Sequence, residues 1–209
     1  MASTTPFFDA VINRRTIYTL ANTSRVPQSR ITEIVHQALK YCPSAFNVRT
    51  CRCIILFGEE HTKLWDHAAE VTPKVAPAEL QDLLVPRIGI FRAAYGTVLF
   101  FDDQSAYTLL PPHFRTLLEH GPEAEEHASG IVQFTVWTAL AAEGLGCNLQ
   151  HYNPGITPWV KETYNVPDEW KLKCQLVFGD CMAGAMEEPA RTHLEAALRT
   201  YGGNGEYAN

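Results

Sequence analysis

The stretch "IVQFTVWTALAA" (residues 131–142), followed by "GLGCNLQHYNP" (residues 144–154), decides how this chain folds. The first part is apolar on every face of a helix, and such a helix is buried all round. A chain of 209 residues has few places in which to enclose a helix completely, so we expect two copies to associate around it. The second part then delivers a cluster of hydrogen-bonding side chains beside the core. That cluster predicts a ligand that is both polar and flat.

Composition indicates one globular domain covering residues 1–209, with a tail that frays from about residue 200. Hydrophobic residues make up 46% of the chain and charged residues 19%. The net charge of −6 argues against a nucleic-acid or anionic-membrane partner, since either would need a basic face. The longest apolar run is shorter than the ~20 residues that span a bilayer.

The beginning of the chain has no basic region followed by an apolar run, so we expect a cytoplasmic protein without a secretory signal. The six cysteines form no CxxC pair and fall in apolar or strand-like surroundings. Reduced, packed thiols in a reducing compartment are therefore expected.

Helices and strands alternate irregularly, which favours an α+β fold over a doubly wound sheet. The pattern predicts strands at residues 51–57, 96–103 and 171–180. Helices are predicted near residues 5–14, from Pro27 to the break at Pro43, at 77–95, 124–143 and 189–198, and from Thr157 through "WVKETY". A further helix is predicted to carry Leu64, Trp65 and Ala68. Prolines and a glycine in residues 104–123 predict mostly loop, with at most one turn of helix.

Two further polar segments have the chemistry of a binding site. Arg14 and Arg15, followed by Thr16, can grip a phosphate with charge-assisted bonds, although an arginine pair also suits the end of a helix. The segment "PSAFN" (residues 43–47) offers backbone N–H groups and polar side chains between a helix and a strand, although it also suits an ordinary turn. Each segment alone leaves both interpretations open.

Together, the ordered motifs "NRRTIY", "CPSAFN", "YGTVLFF", "GLGCNLQHYNP" and "VPDEWKLKCQLVFG" resemble the nitroreductase-like flavoprotein family over residues 7–180. The sequence is most similar to the short subgroup, commonest in fungi, that is linked to lipid signalling and to oxidative or nitrosative stress. The resemblance implies an α-β-α sandwich with a central mixed or antiparallel sheet. It also implies a homodimer with FMN in two interface clefts, and electron transfer from NAD(P)H to a nitroaromatic, a quinone or a related small organic acceptor.

The resemblance also assigns the cofactor contacts. Arg14, Arg15 and Thr16 would contact the phosphate, ribityl chain or pyrimidine edge. The residues Pro43, Ser44, Ala45, Phe46 and Asn47 would come from the other subunit, and Gln150, His151 and Tyr152 would line the isoalloxazine. No side-chain nucleophile is required, because hydride transfer belongs to the cofactor.

Three positions depart from the family pattern. Arg49 replaces a glutamine near the pyrimidine edge, and Tyr18 stands where a basic residue is common. After Gly179, Arg191 is the basic residue that could reach the phosphate, and it follows the acidic pair Glu187 and Glu188.

An alternative function remains open from the sequence. His113, His120 and His127 recur every seven residues among glutamates, and imidazoles with carboxylates can bind iron, copper or zinc. The chain would then be a flavin-independent, metal- or substrate-assisted biosynthetic enzyme on the same fold. Gly121–Pro122 interrupts any single helix that would align the three histidines. Four further histidines, His36, His61, His67 and His193, fall on predicted helices without a partner pattern and are expected at the surface.

Overall fold

A computed structural model describes residues 6–120 and 123–187, together with residues 192, 197–199 and 201; for residues 119 and 120 it describes the backbone only. Within these residues the helices are α1 (Phe7–Asn13), α2 (Gln28–Tyr41), α3 (Gly58–Val75), α4 (Ala78–Arg92), α5 (Pro112–His120), α6 (Ala124–Ala142) and α7 (Thr157–Thr163). The strands are β1 (Leu20–Ala21), β2 (Cys51–Phe57), β3 (Gly96–Asp103), β4 (Leu145–Gln150) and β5 (Trp170–Cys181).

The five strands form one antiparallel sheet, as the α+β prediction required. Strand β5 pairs with β1, β3 and β4, and β2 pairs with the other edge of β3. The ladder between β3 and β5 shifts register between Phe100 and Phe101, which pair with Cys174 and Leu172 respectively. Lys173 therefore occupies a β-bulge in β5.

Each face of the sheet carries its own hydrophobic core. Leu99 and Phe101 pack with residues of α3, α4 and α7. Val98 and Phe100 point the other way and pack with residues of α2 and α6. This alternation follows from the two-residue period of a strand, and it gives the α-β-α sandwich that the resemblance implied.

The three predicted strands agree with β2, β3 and β5, whereas β1 and β4 were not predicted and the loop predicted at residues 104–123 is wrong. That segment contains a 3-10 helix (Gln104–Leu109) followed by α5. Pro112 is the first residue of α5, where its missing N–H removes no helical hydrogen bond. The helix predicted at residues 189–198 lies almost entirely outside the described residues.

Helix α6 is buried on one side only within a single chain. Val132, Val136 and Leu140 face the core, while Ile131 and Phe134 are 40% and 39% exposed. Helix α1 buries no residue at all, and its Phe7 is 68% exposed. A second copy would cover these apolar surfaces, but the homodimer stays a prediction.

The expectation that His61 lies at the surface is wrong. Its ring is 1% exposed, with Nδ1 at 2.9 Å from Thr97 Oγ1 and Nε2 at 3.3 Å from the Arg92 carbonyl oxygen. Trp65 Nε1 donates to the same Thr97 hydroxyl at 3.0 Å. The hydroxyl can therefore accept from Trp65 and donate to a neutral His61 whose Nε2–H faces Arg92. Burial lowers the pKa of His61 to about 4.

This pKa predicts a loss of stability in acid. Between the unfolded pKa of 6.5 and the folded value of about 4, the unfolded chain binds a proton that the native chain does not. His61 should therefore lower the free energy of unfolding by about 2 kcal/mol between pH 7 and pH 5. Urea unfolding of wild type and His61→Asn across this range should show a shallower pH slope for the variant. His67→Asn, on the same helix, is the control and should keep the wild-type slope; equal slopes for wild type and His61→Asn would contradict the prediction.

Candidate cofactor and substrate site

The arginine segment is fixed against the edge of β4. Ile17 N donates to the Cys147 carbonyl oxygen at 2.9 Å, and Thr16 forms a parallel bridge with Cys147. The buried Asn148 side chain returns a bond from Nδ2 to the Ile17 carbonyl oxygen at 2.8 Å. The structure thus places the predicted Arg14–Thr16 segment beside the polar stretch that opens at Gly144.

The two arginines of this segment contact different neighbours. The Arg14 guanidinium lies 4.4 Å from the ring centroid of Trp137 on α6, in cation–π geometry. One Arg15 nitrogen donates to the Met186 carbonyl oxygen at 2.9 Å. Two guanidiniums beside a strand rich in amides suit a ligand that combines an anionic group with a hydrogen-bonding ring edge.

Two pairs of hydrogen-bonded side-chain amides lie along β4 and β5. Gln150 Nε2 donates to Asn148 Oδ1 at 2.9 Å, and Gln175 Oε1 accepts from the Tyr152 backbone N–H at 2.8 Å. Gln175 Nε2 then reaches Asn153 Oδ1 at 3.3 Å. Asn148 and Gln175 are both fully buried, so these bonds satisfy polar groups that would otherwise be stranded in the core.

His151 and Tyr152 point into different environments. The Tyr152 hydroxyl donates to the Leu84 carbonyl oxygen at 2.8 Å, and its ring meets Trp65 edge-on. Burial raises the pKa of Tyr152 to about 12. The side chain therefore packs in the core, and the predicted contact of Tyr152 with the isoalloxazine stays a prediction. His151 is exposed and faces a cavity.

This cavity, of about 590 Å³, lies between α6, the start of α7 and the first residues of β5. Its size falls within the range of small-molecule sites, roughly 300–1,000 Å³. Its walls combine amide, imidazole, indole and ammonium groups: Gln133, His151, Asn153, Trp170, Lys171 and Lys173. The lysines of this cavity carry no functional signal in the sequence, because the alternating "KLK" is typical of the solvent-facing side of a strand.

The loop of residues 43–49 is held in an unusual backbone conformation. Phe46, Asn47 and Arg49 have φ values of 51°, 55° and 53°. Ser44 Oγ accepts from the Arg49 backbone N–H at 3.0 Å, and Asn47 Oδ1 accepts from Arg49 Nε at 2.9 Å. The Phe46 ring stacks on Phe114 of α5 with centroids 4.4 Å apart. Strained backbone of this kind concentrates at functional sites.

Within one chain this loop and the arginine segment contact different neighbours. The start of the loop, at Pro43 and Ser44, borders Ala128 and Val132 in the first half of α6, whereas Arg14 lies over Trp137 in its second half. The side chain of Arg49 folds back on its own loop. The prediction that Pro43, Ser44, Ala45, Phe46 and Asn47 serve the partner subunit remains a prediction.

Only some of the remaining candidate site residues lie within the described part of the chain. Arg191 and Glu188 lie outside the described residues, and Glu187 is exposed. His113 lies on α5 and His127 on α6, while the side chain of His120 is outside the description. Across the described part of the chain, no group of three or more His, Cys, Asp or Glu residues is placed to hold a metal ion. In the same residues, no helix has the length and hydropathy to cross a membrane.

The structure is thus an α+β sandwich in which an arginine segment lies beside an amide-rich strand. Residues 11–180 match the nitroreductase family, and the chain belongs to that family. It is 36% identical over 187 residues to nitroreductase FRM2 of Saccharomyces cerevisiae, covering 86% of this chain and 90% of the yeast protein. The yeast relative agrees with the fungal subgroup named by the resemblance.

Solved structures agree with this assignment. Nitroreductase CinD from Lactococcus lactis, in complex with chloramphenicol, superposes with a TM-score of 0.82 at 38% identity, covering 94% of this chain and all of CinD. A more distant protein from Desulfovibrio desulfuricans, 17% identical with a TM-score of 0.69, covers 94% of this chain and 97% of its own and was solved with FMN. At that identity the second match concerns the fold alone.

The anchoring of the arginine segment can be tested through Asn148. Asn148→Leu keeps the approximate volume of the side chain but leaves the Ile17 carbonyl oxygen and the Gln150 amide without their partner. We expect the free energy of unfolding to fall by about 2 kcal/mol, the penalty for stranded buried polar groups. Urea denaturation measures it, with Gln37→Leu as the control, because the exposed Gln37 amide bonds the exposed Glu33 carboxylate and its removal strands no buried group. Equal losses in both variants would contradict the anchoring role.

Proposed function

We propose that the protein is an FMN-dependent oxidoreductase that passes electrons from NAD(P)H to a nitroaromatic, a quinone or a related small organic acceptor. The supporting observation is an arginine pair fixed beside an amide-rich strand in a chain of the nitroreductase family. When bound, FMN supplies the hydride chemistry, accepting a hydride from NAD(P)H and releasing two electrons to the acceptor.

The residues of this chain would hold the cofactor by its ends. Arg14, Arg15 and Thr16 would bind the phosphate and ribityl chain, with charge-assisted bonds as the main contribution. The amides that continue from Asn148 would face the pyrimidine edge, with Gln150 and His151 beside the ring. The loop containing Phe46 and Arg49 would complete the site from a second copy, and Arg191 would add a further cation.

Similar proteins support the acceptor class. CinD structures contain chloramphenicol, nicotinic acid and 4-nitrophenol, all of them small aromatic molecules. The cavity beside His151 is large enough for a ligand of that kind.

The cysteines of this chain are free thiols, which is the state that a cytoplasmic enzyme would keep.

Arg15→Ala tests the cofactor site. The variant should bind FMN about 10- to 100-fold more weakly, because a charged hydrogen bond to phosphate contributes about 1.5–3 kcal/mol. The measurements are the flavin absorbance of freshly purified protein and the rise in melting temperature with added FMN, which follows RT ln(1 + [L]/Kd).

The control for this experiment is Arg92→Ala. Arg92 forms an exposed ion pair with Asp66 on the opposite side of the sheet, so FMN affinity should not change. An unchanged FMN affinity in Arg15→Ala would remove Arg15 from the site. Wild-type protein that is colourless and gains no stability from FMN would overturn the proposed function.

The two-subunit site can be tested at Phe134. Phe134→Glu places a carboxylate on the exposed face of α6 and should give monomers that retain their secondary structure but lose FMN. Size-exclusion chromatography with light scattering, circular dichroism and flavin content measure the three properties. Leu109→Glu alters another exposed apolar residue, away from α6, and should change none of them. A Phe134→Glu dimer with full FMN content would contradict the shared site.

A further inference from the structure

We propose that the cavity beside His151 selects acceptors that are aromatic anions, with Lys171 binding the anionic group. This inference rests on the proposed function, because it names the substrate class of that same site.

The cavity is cationic in a chain that is otherwise acidic. Its lining contains Lys161, Lys171 and Lys173 against a single carboxylate, that of Glu126, whereas the whole chain has a net charge of −6. Clefts lined by one sign of charge concentrate ligands of the opposite sign. Because Glu125 and Asp168 also lie within 4.0 Å of these lysines, the lining favours a small anion at the ammonium group that is most weakly paired.

The three lysines differ in how far their charge is already balanced. Lys173 is 13% exposed and donates to Glu125 at 3.1 Å and to Glu126 at 2.7 Å, so its charge is neutralised within the protein. Lys161 is 24% exposed; it donates to the main-chain oxygen of Asp168 at 2.7 Å, and its Nζ lies 3.8 Å from the carboxylate of the same residue. Lys171 is 56% exposed, and its Nζ lies 4.0 Å from Glu125 Oε1, at the limit of an ion pair. Lys171 is therefore the ammonium group best placed to bind a ligand.

The bulge explains why Lys171 reaches the α6 side of the sheet. Leu172 packs in the core on the α3 and α4 side, and Cys174 packs in the core on the α6 side. In a regular strand Leu172 and Cys174 would face the same side, and Lys171 would face the side opposite Cys174. The bulge breaks this alternation, and Lys171 and Lys173 both border the cavity next to α6. Bulges that redirect side chains in this way are common beside active sites.

The same walls suit a flat ring. Trp170 lines the cavity, and its ring packs against that of Phe101, with the two ring centroids 5.8 Å apart. Gln133 and Asn153 supply amides at the opposite wall. An aromatic ligand can therefore lie near the indole with its charged substituent directed at Lys171.

The test compares 4-nitrobenzoate with its neutral methyl ester in wild type, Lys171→Gln and the control Lys74→Gln. Lys74 is an exposed lysine paired with Glu70 on α3, outside the site. Lys171→Gln should lower kcat/KM for 4-nitrobenzoate about 10-fold or more and change that of the ester less than about 2-fold. Because the ester is intrinsically the easier molecule to reduce, the ratio of the two values is compared between variants. The wild-type preference should shrink with added salt, and Lys171→Arg should restore it in part.

Four results would overturn the proposal. An equal fall for both acceptors would make Lys171 structural, and no fall would remove it from the site. A rise in KM for NADPH or NADH with both acceptors unaffected would assign the anion to the nucleotide instead. If wild-type protein reduces neither acceptor, the proposed function fails. The anion site is then tested separately, by the binding of the two compounds. Thermal stabilisation by 4-nitrobenzoate but not by the ester, lost in Lys171→Gln, supports the anion site; no such stabilisation in wild type overturns it.

Discussion

The pairing of β5 with three other strands is the constraint on which the rest of the structure depends. One end of β5 pairs with β1 and lets Asp180 bind Arg25 and Thr23, while Gln175 in its middle faces Gln150 and supports the turn at Tyr152. Its first residues border the cavity. Because side chains alternate along a strand, a slip of one residue would exchange the two cores and withdraw the lysines from the cavity. The bulge at Lys173 pins this register.

Much of the fold follows from local patterns in the sequence, and the errors have physical causes. Runs of apolar and β-branched residues set β2 and β3, and the stripe of Ile31, Ile34, Val35 and Ala38 sets α2. Helix α5 was missed because prolines were interpreted as breakers, although a proline in the first turn is favourable. The burial of His61 depends on Thr97, which lies 36 positions away, and no local pattern reports such a partner.

The candidate site was predictable in part for the same reason. The sequence associated the Arg14–Thr16 segment with the polar stretch after α6, and the structure joins them through Cys147 and Asn148. The cationic cavity could not be foreseen, because "KLK" in a strand ordinarily places both lysines in solvent and a bulge leaves no mark in composition. Tyr152 was grouped with its polar neighbours, but its ring completes an aromatic cluster with Trp65 and Phe91.

The loop of residues 43–49 has a consequence for how this protein tolerates sequence change. Two of its three positive-φ residues, Phe46 and Arg49, pay a steric penalty that glycine would relieve at once, so selection for thermostability alone would favour glycine there. The same exchange would delete the ring that stacks on Phe114 and the guanidinium that closes the loop on Asn47. Laboratory evolution for heat resistance should therefore select glycine in this loop and make it more flexible. A screen that measures turnover as well as melting temperature is needed to keep the native loop conformation.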